Sequence, residues 1–193
     1  MQDYIKKQLL ESVEVKNALA DKFINEIAAI AKTCADSIKS GGKIMFCGNG
    51  GSAADSQHLA TELVVRLTAE NDRQALPALA LTTDSSILTA CSNDYGFENV
   101  FSRQVEALGC AGDVLIGIST SGNSPNVIKA IECAQKRRLK TIGWSGKKGG
   151  KLAEVADQSL LVPSDDVQRI QEAHITIGHI IIGLIEREIG GHG

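Results

Sequence analysis

The spacing of hydrophobic positions changes several times along the chain, and each change predicts a new element. Across residues 3–39 apolar side chains recur every three or four residues, which predicts one or two amphipathic helices ending at the Gly41-Gly42 pair. Beyond this point, short apolar runs alternate with helical patterns. The predicted strands are 43–47, 78–81, 113–119, 139–145 and 158–163. The predicted helices are 52–67, a short one after Asp84, 97–108, one from Ser124-Pro125 to about Arg138, and 166–188.

This alternation indicates the fold class. Strands that are apolar throughout are buried on both faces, and strands that alternate with helices form parallel sheets. We therefore predict an α/β fold with a doubly wound, five-stranded parallel sheet flanked by helices. Residues 1–40 would form an N-terminal helical arm, and residues 41–193 a single domain. We expect the arm to pack on the domain and on other subunits. Its leucines and isoleucines have no evident partner within one domain, which favours the contacts with other subunits.

Composition and charge narrow the possible functions. The chain has 193 residues and a net charge of −3, which argues against nucleic-acid binding as its main role. Its five cysteines show no CxxC or Cys/His metal spacing, which indicates a reduced, cytoplasmic protein with mostly buried thiols. The N-terminal stretch lacks the apolar core of a secretion signal, and the most apolar segment, 175–185, is too short to span a membrane.

One loop suits an anion. The stretch GISTSGNSPN (117–126) follows the third predicted strand and opens a helix, and ligands of doubly wound sheets bind at the carboxyl ends of strands. Free N–H groups at the helix N-terminus and neighbouring hydroxyls together favour a phosphate. The hydroxyl-bearing residues are Ser119, Thr120, Ser121 and Ser124. The alternative is an ordinary Ser-Pro helix cap in a polar loop.

A second glycine-rich turn, CGNGGSAAD (47–55), joins the first strand to the next helix. It matches the loose dinucleotide pattern G-x-G-x-x-A, but the acidic residue at the end of the second strand, Asp84, lies further away than the pattern requires. An oxidoreductase is therefore poorly supported. A P-loop is excluded because the lysine is missing. Two interpretations remain: a tight turn that simply needs glycine, or a turn in which Asn49, Gly50, Gly51 and Ser52 close around a sugar or its phosphate. Ser52 is also the predicted N-cap of the helix.

Two helical segments carry residues that suit a metal ion. His58 and Glu62 are four residues apart and share one helix face, as either a metal pair or an ordinary surface pair. Gln171 and His179 are separated by about 12 Å of helix rise. They would reach one ion only by leaning toward each other, or if different subunits share the site. His179 lies in an apolar stripe, which by itself favours a core histidine.

Taken together, the motifs resemble those of the bacterial phosphoheptose isomerases, single-domain members of the sugar isomerase (SIS) fold. The matching stretches are CGNGGSAADSQH, TELVVR, TTD, SNDYGFE, FSRQVEALG, GDVLIGISTSGNSPNVIKA, VPSDD, RIQEAHI and the late histidine at 179. The resemblance implies a flavodoxin-like or Rossmann-like three-layer sandwich and a cytoplasmic homotetramer with active sites at its interfaces. It implies conversion of D-sedoheptulose 7-phosphate to D-glycero-D-manno-heptose 7-phosphate, the first step of the heptose branch of lipopolysaccharide core or surface-glycan synthesis. Neither nucleic acid nor membrane is an implied partner.

The resemblance also implies roles for individual residues. One zinc ion (Zn2+) per subunit would be held by His58, Glu62, Gln171 and His179. Substrate contacts fall on Asn49, Gly50, Gly51, Glu62, Asn93, Asp94, Ser119, Thr120, Ser121, Ser124 and Gln171. For the aldose–ketose isomerisation through an enediolate, Glu62 is the expected base and His179 the expected acid. Whether Glu62 is base, metal ligand or both stays open at this point.

The chain departs from the family pattern after the second helix. Many members have Gly-Arg-Tyr where this chain has Val-Arg-Leu at 65–67, and the following TAENDRQALP is unusual, so contacts around Arg66 and the preferred sugar are expected to be affected. One alternative function is that of a non-enzymatic relative that associates with the replication initiator DnaA, but the retention of Glu62, Gln171 and His179 favours an enzyme. Another is a sugar-phosphate sensor, which usually carries a further module.

Overall fold

The computed structural model describes residues 1–190, which form eight helices and five strands. The helices are α1 (Gln2–Lys22), α2 (Ile24–Lys39), α3 (Gly51–Val64), α4 (Ser85–Tyr95), α5 (Val100–Leu108), α6 (Pro125–Lys136), α7 (Gly150–Val155) and α8 (Val167–Gly190). The strands are β1 (Ile44–Gly48), β2 (Ala78–Ala80), β3 (Val114–Ile118), β4 (Lys140–Gly146) and β5 (Gln158–Val162). A single 3₁₀ turn at Phe97–Asn99 precedes α5.

All five strands are parallel and lie in the order β2-β1-β3-β4-β5. This is the flavodoxin-like order, and it confirms the predicted doubly wound α/β fold. The chain leaves β1 toward β2 and then crosses back to β3, so the loops after β1 and β3 diverge at the carboxyl edge of the sheet. Such a crevice is where ligands of this fold class bind. Both glycine- and serine-rich loops identified in the sequence lie there.

Two hydrophobic cores cover the two faces of the sheet. Successive strand residues point to opposite faces. Ile44 and Phe46 of β1 therefore belong to the core beneath α2, α3 and α8, whereas Met45 and Cys47 belong to the core beneath α5, α6 and α7. The long apolar face of α8 completes the first core, and the predicted last helix is confirmed.

The first 39 residues form two helices rather than one. The break falls at Phe23, which has a φ of −119° and lies between α1 and α2. Helix α2 contributes Ile30 and Cys34 to the first core, whereas α1 exposes Ile5 and Leu9 to solvent. Within residues 1–190 no helix has both the length and the apolar character needed to cross a membrane.

The limits of α3 differ from the prediction at both ends. The helix begins at Gly51 with Gly50 at the N-cap, so the prediction that Ser52 is the N-cap is wrong; Ser52 lies inside the first turn and is buried. The positive φ of Gly50, +55°, allows the chain to turn from β1 into the helix two residues before the predicted serine cap. At its other end α3 stops at Val64, three residues before the predicted end.

One short helix, α7, is absent from the prediction. The sequence analysis places only a loop between the fourth and fifth strands, but residues 150–155 are helical. Gly149 at the N-cap and Gly150 at the first helical position, both with positive φ, obscure the helix pattern in the sequence. Leu152 anchors α7 because it is fully buried against Gly143 of β4, where any side chain would collide with it.

Candidate active site

The loop after β3 brings three serine hydroxyls together. The Oγ atom of Ser119 lies 2.8 Å from Ser124 Oγ and 3.4 Å from Ser121 Oγ. Ser119 is buried, and its N–H donates to the carbonyl of Trp144 at 2.9 Å, which continues the pairing of β3 with β4. The loop is therefore fixed by the sheet, while its hydroxyls find only one another as side-chain partners. Such a group of donors can turn together toward an anion.

The alternative of an ordinary serine helix cap does not describe this loop. Ser124 is the N-cap of α6 and Pro125 is the first helical residue, as predicted, but the Ser124 side chain makes no capping hydrogen bond. Its hydroxyl instead faces Ser119. Gly122, with a φ of +67°, packs against the backbone of Gly149, and a Cβ there would overlap the Gly149 carbonyl. Close packing of two loops therefore sets the shape of the anion cup, the loop of residues 119–124.

The glycine-rich turn after β1 is tied to the anion cup by two amides. Asn49 donates to Asn126 Oδ1 at 2.9 Å, and Asn126 donates to Asn49 Oδ1 at 2.8 Å. Asn126 is 2% exposed. The sequence analysis did not select Asn126, because the reciprocal pair joins residues that are 77 positions apart. The pair couples the two loops of the crevice and orients the predicted substrate ligand Asn49.

Gln171 belongs to α8, and its side chain lies against the first residue of α3. Its carboxamide occupies the space next to Gly51, where a Cβ would collide with it. Gly51 is thus needed for close approach of α8 to the glycine turn rather than for a positive φ. His58 and Glu62 lie about two and three turns further along α3, given 3.6 residues per turn. The position of Gln171 therefore suits its predicted substrate contact, and its role as a metal ligand stays a prediction.

Three other predicted ligands form a cluster between α3 and α8. The Nε2 atoms of His58 and His179 are 2.8 Å apart, and His58 Nε2 is 3.4 Å from Glu62 Oε1. One ligand atom from each of the three residues lies within 4.8 Å of the others. His179 is partly exposed, so its interpretation as a core histidine is wrong. The core histidine of α8 is His174, which has no exposed surface.

The donor set and spacing of this cluster fit a zinc ion. Zinc binds imidazole nitrogens and carboxylate oxygens at about 2.1 Å, which places the donors of a tetrahedral site about 3.4 Å apart. The distances of 2.8 and 3.4 Å around His58 are close to this spacing. Without an ion, the facing nitrogens of His58 and His179 can hold only one proton between them, because two N–H groups would repel each other. A cation therefore suits the arrangement.

Two ionisable groups near this cluster are shifted by burial. Burial raises the pKa of Asp55 to about 6, with His58 acting in the opposite direction, and Asp55 Oδ2 has no hydrogen-bond partner among the described residues. Burial lowers the pKa of His174 to about 4, against a weak contact of 3.4 Å with the Ser145 carbonyl. The sequence analysis selected neither residue, since burial of a single polar side chain leaves no pattern in one sequence.

Asn93 and Asp94 lie apart from the groups described so far. Both are exposed on α4, and Asn93 donates to Asp94 Oδ1 at 2.8 Å. Among the described residues, no hydrogen bond connects them to the anion cup or to the His–Glu cluster. Their predicted substrate contacts stay predictions, and an interface between subunits is one place where such contacts would arise.

Comparison with known proteins gives a consistent family. The SIS domain family model matches residues 8–146. The phosphoheptose isomerase of Akkermansia muciniphila is 52% identical over 191 residues, which covers 99% of this chain and 100% of that protein. The phosphoheptose isomerase of Sulfurimonas denitrificans is 51% identical, with 100% of this chain and 99% of the relative covered.

Solved structures agree with the sequence relatives. The phosphoheptose isomerase of Neisseria gonorrhoeae superposes with a TM-score of 0.89 at 44% identity, covering 95% of this chain and 97% of that one. The corresponding structure from Francisella tularensis has a TM-score of 0.92 at 38% identity, with 96% and 98% covered. Similarity therefore extends over nearly the whole chain in both sequence and fold.

Proposed function

This chain belongs to the phosphoheptose isomerase family of SIS-domain proteins, and from that membership we propose how its site works. The protein is an aldose–ketose isomerase that acts on sedoheptulose 7-phosphate in heptose biosynthesis. We propose D-glycero-D-manno-heptose 7-phosphate as the product. The observation that carries the catalytic proposal is the cluster of His58, Glu62 and His179, whose donor atoms meet in one place between two helices.

The anion cup is the proposed phosphate site. Ser119, Thr120, Ser121 and Ser124 offer hydroxyls beside the N-terminus of α6, where the helix dipole favours negative charge. The phosphate lies far from the carbons that react, so its binding energy serves to hold the sugar in place rather than to change its chemistry. Asn49, Gly50, Gly51 and Gln171, at the adjoining turn, would contact the sugar between the cup and the His–Glu cluster. Asn93 and Asp94 are proposed further contacts.

Isomerisation moves a proton between C1 and C2 of the sugar. Glu62, 18% exposed, is the proposed base that takes the carbon-bound proton, and His179 is the proposed acid that serves the oxygens. His58, Glu62, Gln171 and His179 would hold one zinc ion per subunit. When bound, zinc supplies a Lewis acid for the sugar oxygens. The lone pairs of Glu62 allow one oxygen to face the cluster while the other faces the substrate, so both of its proposed roles are compatible.

Replacement of Glu62 tests this assignment. Glu62→Gln keeps the size of the side chain and removes the base, so we expect turnover of sedoheptulose 7-phosphate to fall by about 10²- to 10⁴-fold. The thermal unfolding midpoint should stay close to that of the wild type. Formation of the aldoheptose phosphate is followed by NMR with zinc supplied.

A matched control is Glu106→Gln. Glu106 is an exposed glutamate of α5 that pairs with Arg103 at the surface, so its loss should leave turnover unchanged. Full activity of Glu62→Gln would remove Glu62 from the mechanism. A folded wild-type protein that converts no substrate would instead favour the alternative function, association with the DnaA initiator.

Assembly of the enzyme is a separate part of the proposal. We propose a homotetramer whose active sites lie at the interfaces. A groove of about 480 Å³ runs between α1, α2 and α8 and is lined almost entirely by apolar side chains, among them Leu19, Ile24 and Ile177. Next to it, α1 exposes Ile5 and Leu9. Apolar surface of this extent supports association with further copies of the chain.

The proposed setting is the cytoplasm, where the product would enter lipopolysaccharide core or surface-glycan synthesis. The cysteines support this location, because all five are free and Cys34, Cys47 and Cys91 are buried. Burial raises the pKa of the Cys34 and Cys47 thiols to about 12, which keeps them unreactive. Localisation of a tagged protein by cell fractionation checks this part.

A further inference from the structure

A buried ion pair joins the two helices that carry the His–Glu cluster. Arg73 lies between α3 and β2, in the segment that departs from the family pattern, and its Nε donates to Glu186 Oε1 of α8 at 2.7 Å. The two side chains are only 9% and 6% exposed. A buried pair gains little net stability, since removal from water offsets the attraction. The ion pair therefore acts mainly through the helix backbone that it holds in position.

The guanidinium of Arg73 also closes the end of α3. Its Nη2 donates to the carbonyl of Glu62 at 2.8 Å, and its Nη1 donates to the carbonyl of Leu63 at 2.9 Å. The last carbonyls of a helix lack partners within the helix, and a cation there also suits the helix dipole. Arg73 thus fixes the turn of α3 that carries the Glu62 side chain.

Both carboxylate oxygens of Glu186 accept hydrogen bonds. Its Oε1 accepts a second hydrogen bond from the N–H of Leu67 at 3.2 Å, and its Oε2 accepts one from Asn71 at 2.8 Å. Glu186 follows His179 by seven residues, which is about two helix turns, so both lie on the same face of α8. The network therefore connects the backbone after α3 to the face of α8 that carries His179.

We propose that Arg73 and Glu186 are positioning residues for the His–Glu cluster, the proposed metal site. They hold α3 and α8 at the separation at which the donor atoms of the two helices meet. Neither residue is a member of the cluster. The inference rests on the proposed metal site and adds to it: the unusual segment 68–77 supplies, through Arg73 and Asn71, the contacts that set the site's geometry.

Zinc affinity of the metal-free protein, measured by competition with a chromophoric chelator, tests the proposal. Arg73→Met should lower zinc affinity by about 10- to 100-fold, as loss of an outer contact of a metal site typically does. It should also lower the unfolding midpoint, because the carboxylate of Glu186 is left buried without the positive charge that pairs with it. The double variant Arg73→Met/Glu186→Met removes both charges. We expect it to regain the midpoint while zinc affinity stays at least about tenfold low.

A second ion pair provides the matched control. Lys43 Nζ contacts Asp113 Oδ2 at 2.6 Å, and Asp113 is 2% exposed. These residues lie at the N-terminal ends of β1 and β3, the edge of the sheet opposite the crevice. Lys43→Met should lower the unfolding midpoint but leave zinc affinity within about twofold of the wild type, since distant sites act independently.

A conservative variant covers the case in which Arg73→Met does not fold. Arg73→Lys keeps a charge facing Glu186 but lacks the planar guanidinium that spans Glu186 and both carbonyls of α3, so zinc affinity should fall while the protein stays folded. Wild-type zinc affinity in both Arg73→Lys and the double variant would overturn the inference alone. A wild-type protein that binds no zinc, with His58→Ala making no difference, would overturn the proposed metal site and the inference with it.

Discussion

Ser119 is the residue on which the anion cup depends. Its backbone belongs to the sheet through its bond to Trp144, while its hydroxyl lies at the centre of the serine group, between Ser121 and Ser124. A residue that is fixed by a strand and also presents a donor loses little freedom on binding a ligand. The position of the proposed phosphate site is thereby tied to the sheet.

Removal of the Ser119 hydroxyl should lower the catalytic efficiency with the substrate. A hydrogen bond to a charged group contributes about 1.5–3 kcal/mol, so Ser119→Ala should lower kcat/KM for sedoheptulose 7-phosphate by about 10- to 150-fold. Ser102→Ala is the control, because the Ser102 hydroxyl on α5 donates to the backbone carbonyl of Asn99 and belongs to no part of the anion cup. Steady-state kinetics of both variants give the answer, and equal kcat/KM values would contradict the assignment of the cup.

Burial of His174 couples the protonation of its side chain to the stability of the fold. In the unfolded chain its pKa returns to 6.5, whereas burial holds it near 4 in the folded protein. Between these pH values the unfolded chain binds more protons, so stability falls as the pH drops from 6.5 to 4, by about 3 kcal/mol for this residue. His174→Gln should remove that part of the pH dependence.

The measurement is the free energy of unfolding of both proteins by urea at several pH values. Asp55 acts in the opposite direction over part of this range, because burial raises its pKa to about 6. The difference between wild type and His174→Gln cancels this and other shared terms. Parallel curves would contradict the prediction, because they would show that His174 has the same pKa in the folded and unfolded protein.

Among the helices and strands, the sequence predicts those whose hydrophobic residues recur at a regular spacing. All five strands, the parallel class and the long last helix follow from apolar spacing, and the serine loop follows from its position after a strand. Helix α7 is absent from the prediction because it begins with two glycines, at its N-cap and first position. The roles of His174 and His179 on α8 cannot be separated by spacing alone, since burial depends on which face meets β4. Asn126, Arg73 and Glu186 act through partners distant in sequence, which one sequence does not reveal.

Two glycines allow the loop packing behind the cup to be tested. Gly122 and Gly112 both have positive φ, +67° and +94°, but only Gly122 meets a neighbour. Alanine at either position should cost about 1–2 kcal/mol from backbone conformation. Gly122→Ala should in addition push the loop away from Gly149 and lower kcat/KM, whereas Gly112→Ala should not. Thermal unfolding and kinetics of the pair separate the two effects, and identical behaviour would argue against the packing explanation.

In the molecule as a whole, α1 of the N-terminal arm keeps apolar side chains exposed in a single copy of the chain. Helix α1 is held to α8 where Arg169 donates to the carbonyl of Gln8 at 2.8 Å, yet Leu9 beside that contact is 65% exposed. The polar contact fixes the helix while its apolar side faces outward. This is the surface that the proposed homotetramer would bury.

A charge on that surface should disrupt assembly. Leu9→Glu places a carboxylate in the apolar face, so light scattering after size exclusion should show a smaller species with unchanged circular dichroism, because the side chain lies outside the core. Glu14→Lys, an exposed change on the same helix, should leave the mass of the assembly unaltered. A wild-type protein that is monomeric would contradict the proposed tetramer outright.

The separation of His58 and His179 by 121 residues has a consequence for biosynthesis. Every strand of the sheet is translated before His179 leaves the ribosome, but the apolar face of α8 is needed to cover that sheet. Burial of the sheet and completion of the His–Glu cluster therefore coincide. A nascent chain that has not reached α8 holds His58 and Glu62 on an uncovered surface, without His179. Under the proposed metal site, zinc binding would follow the synthesis and folding of α8.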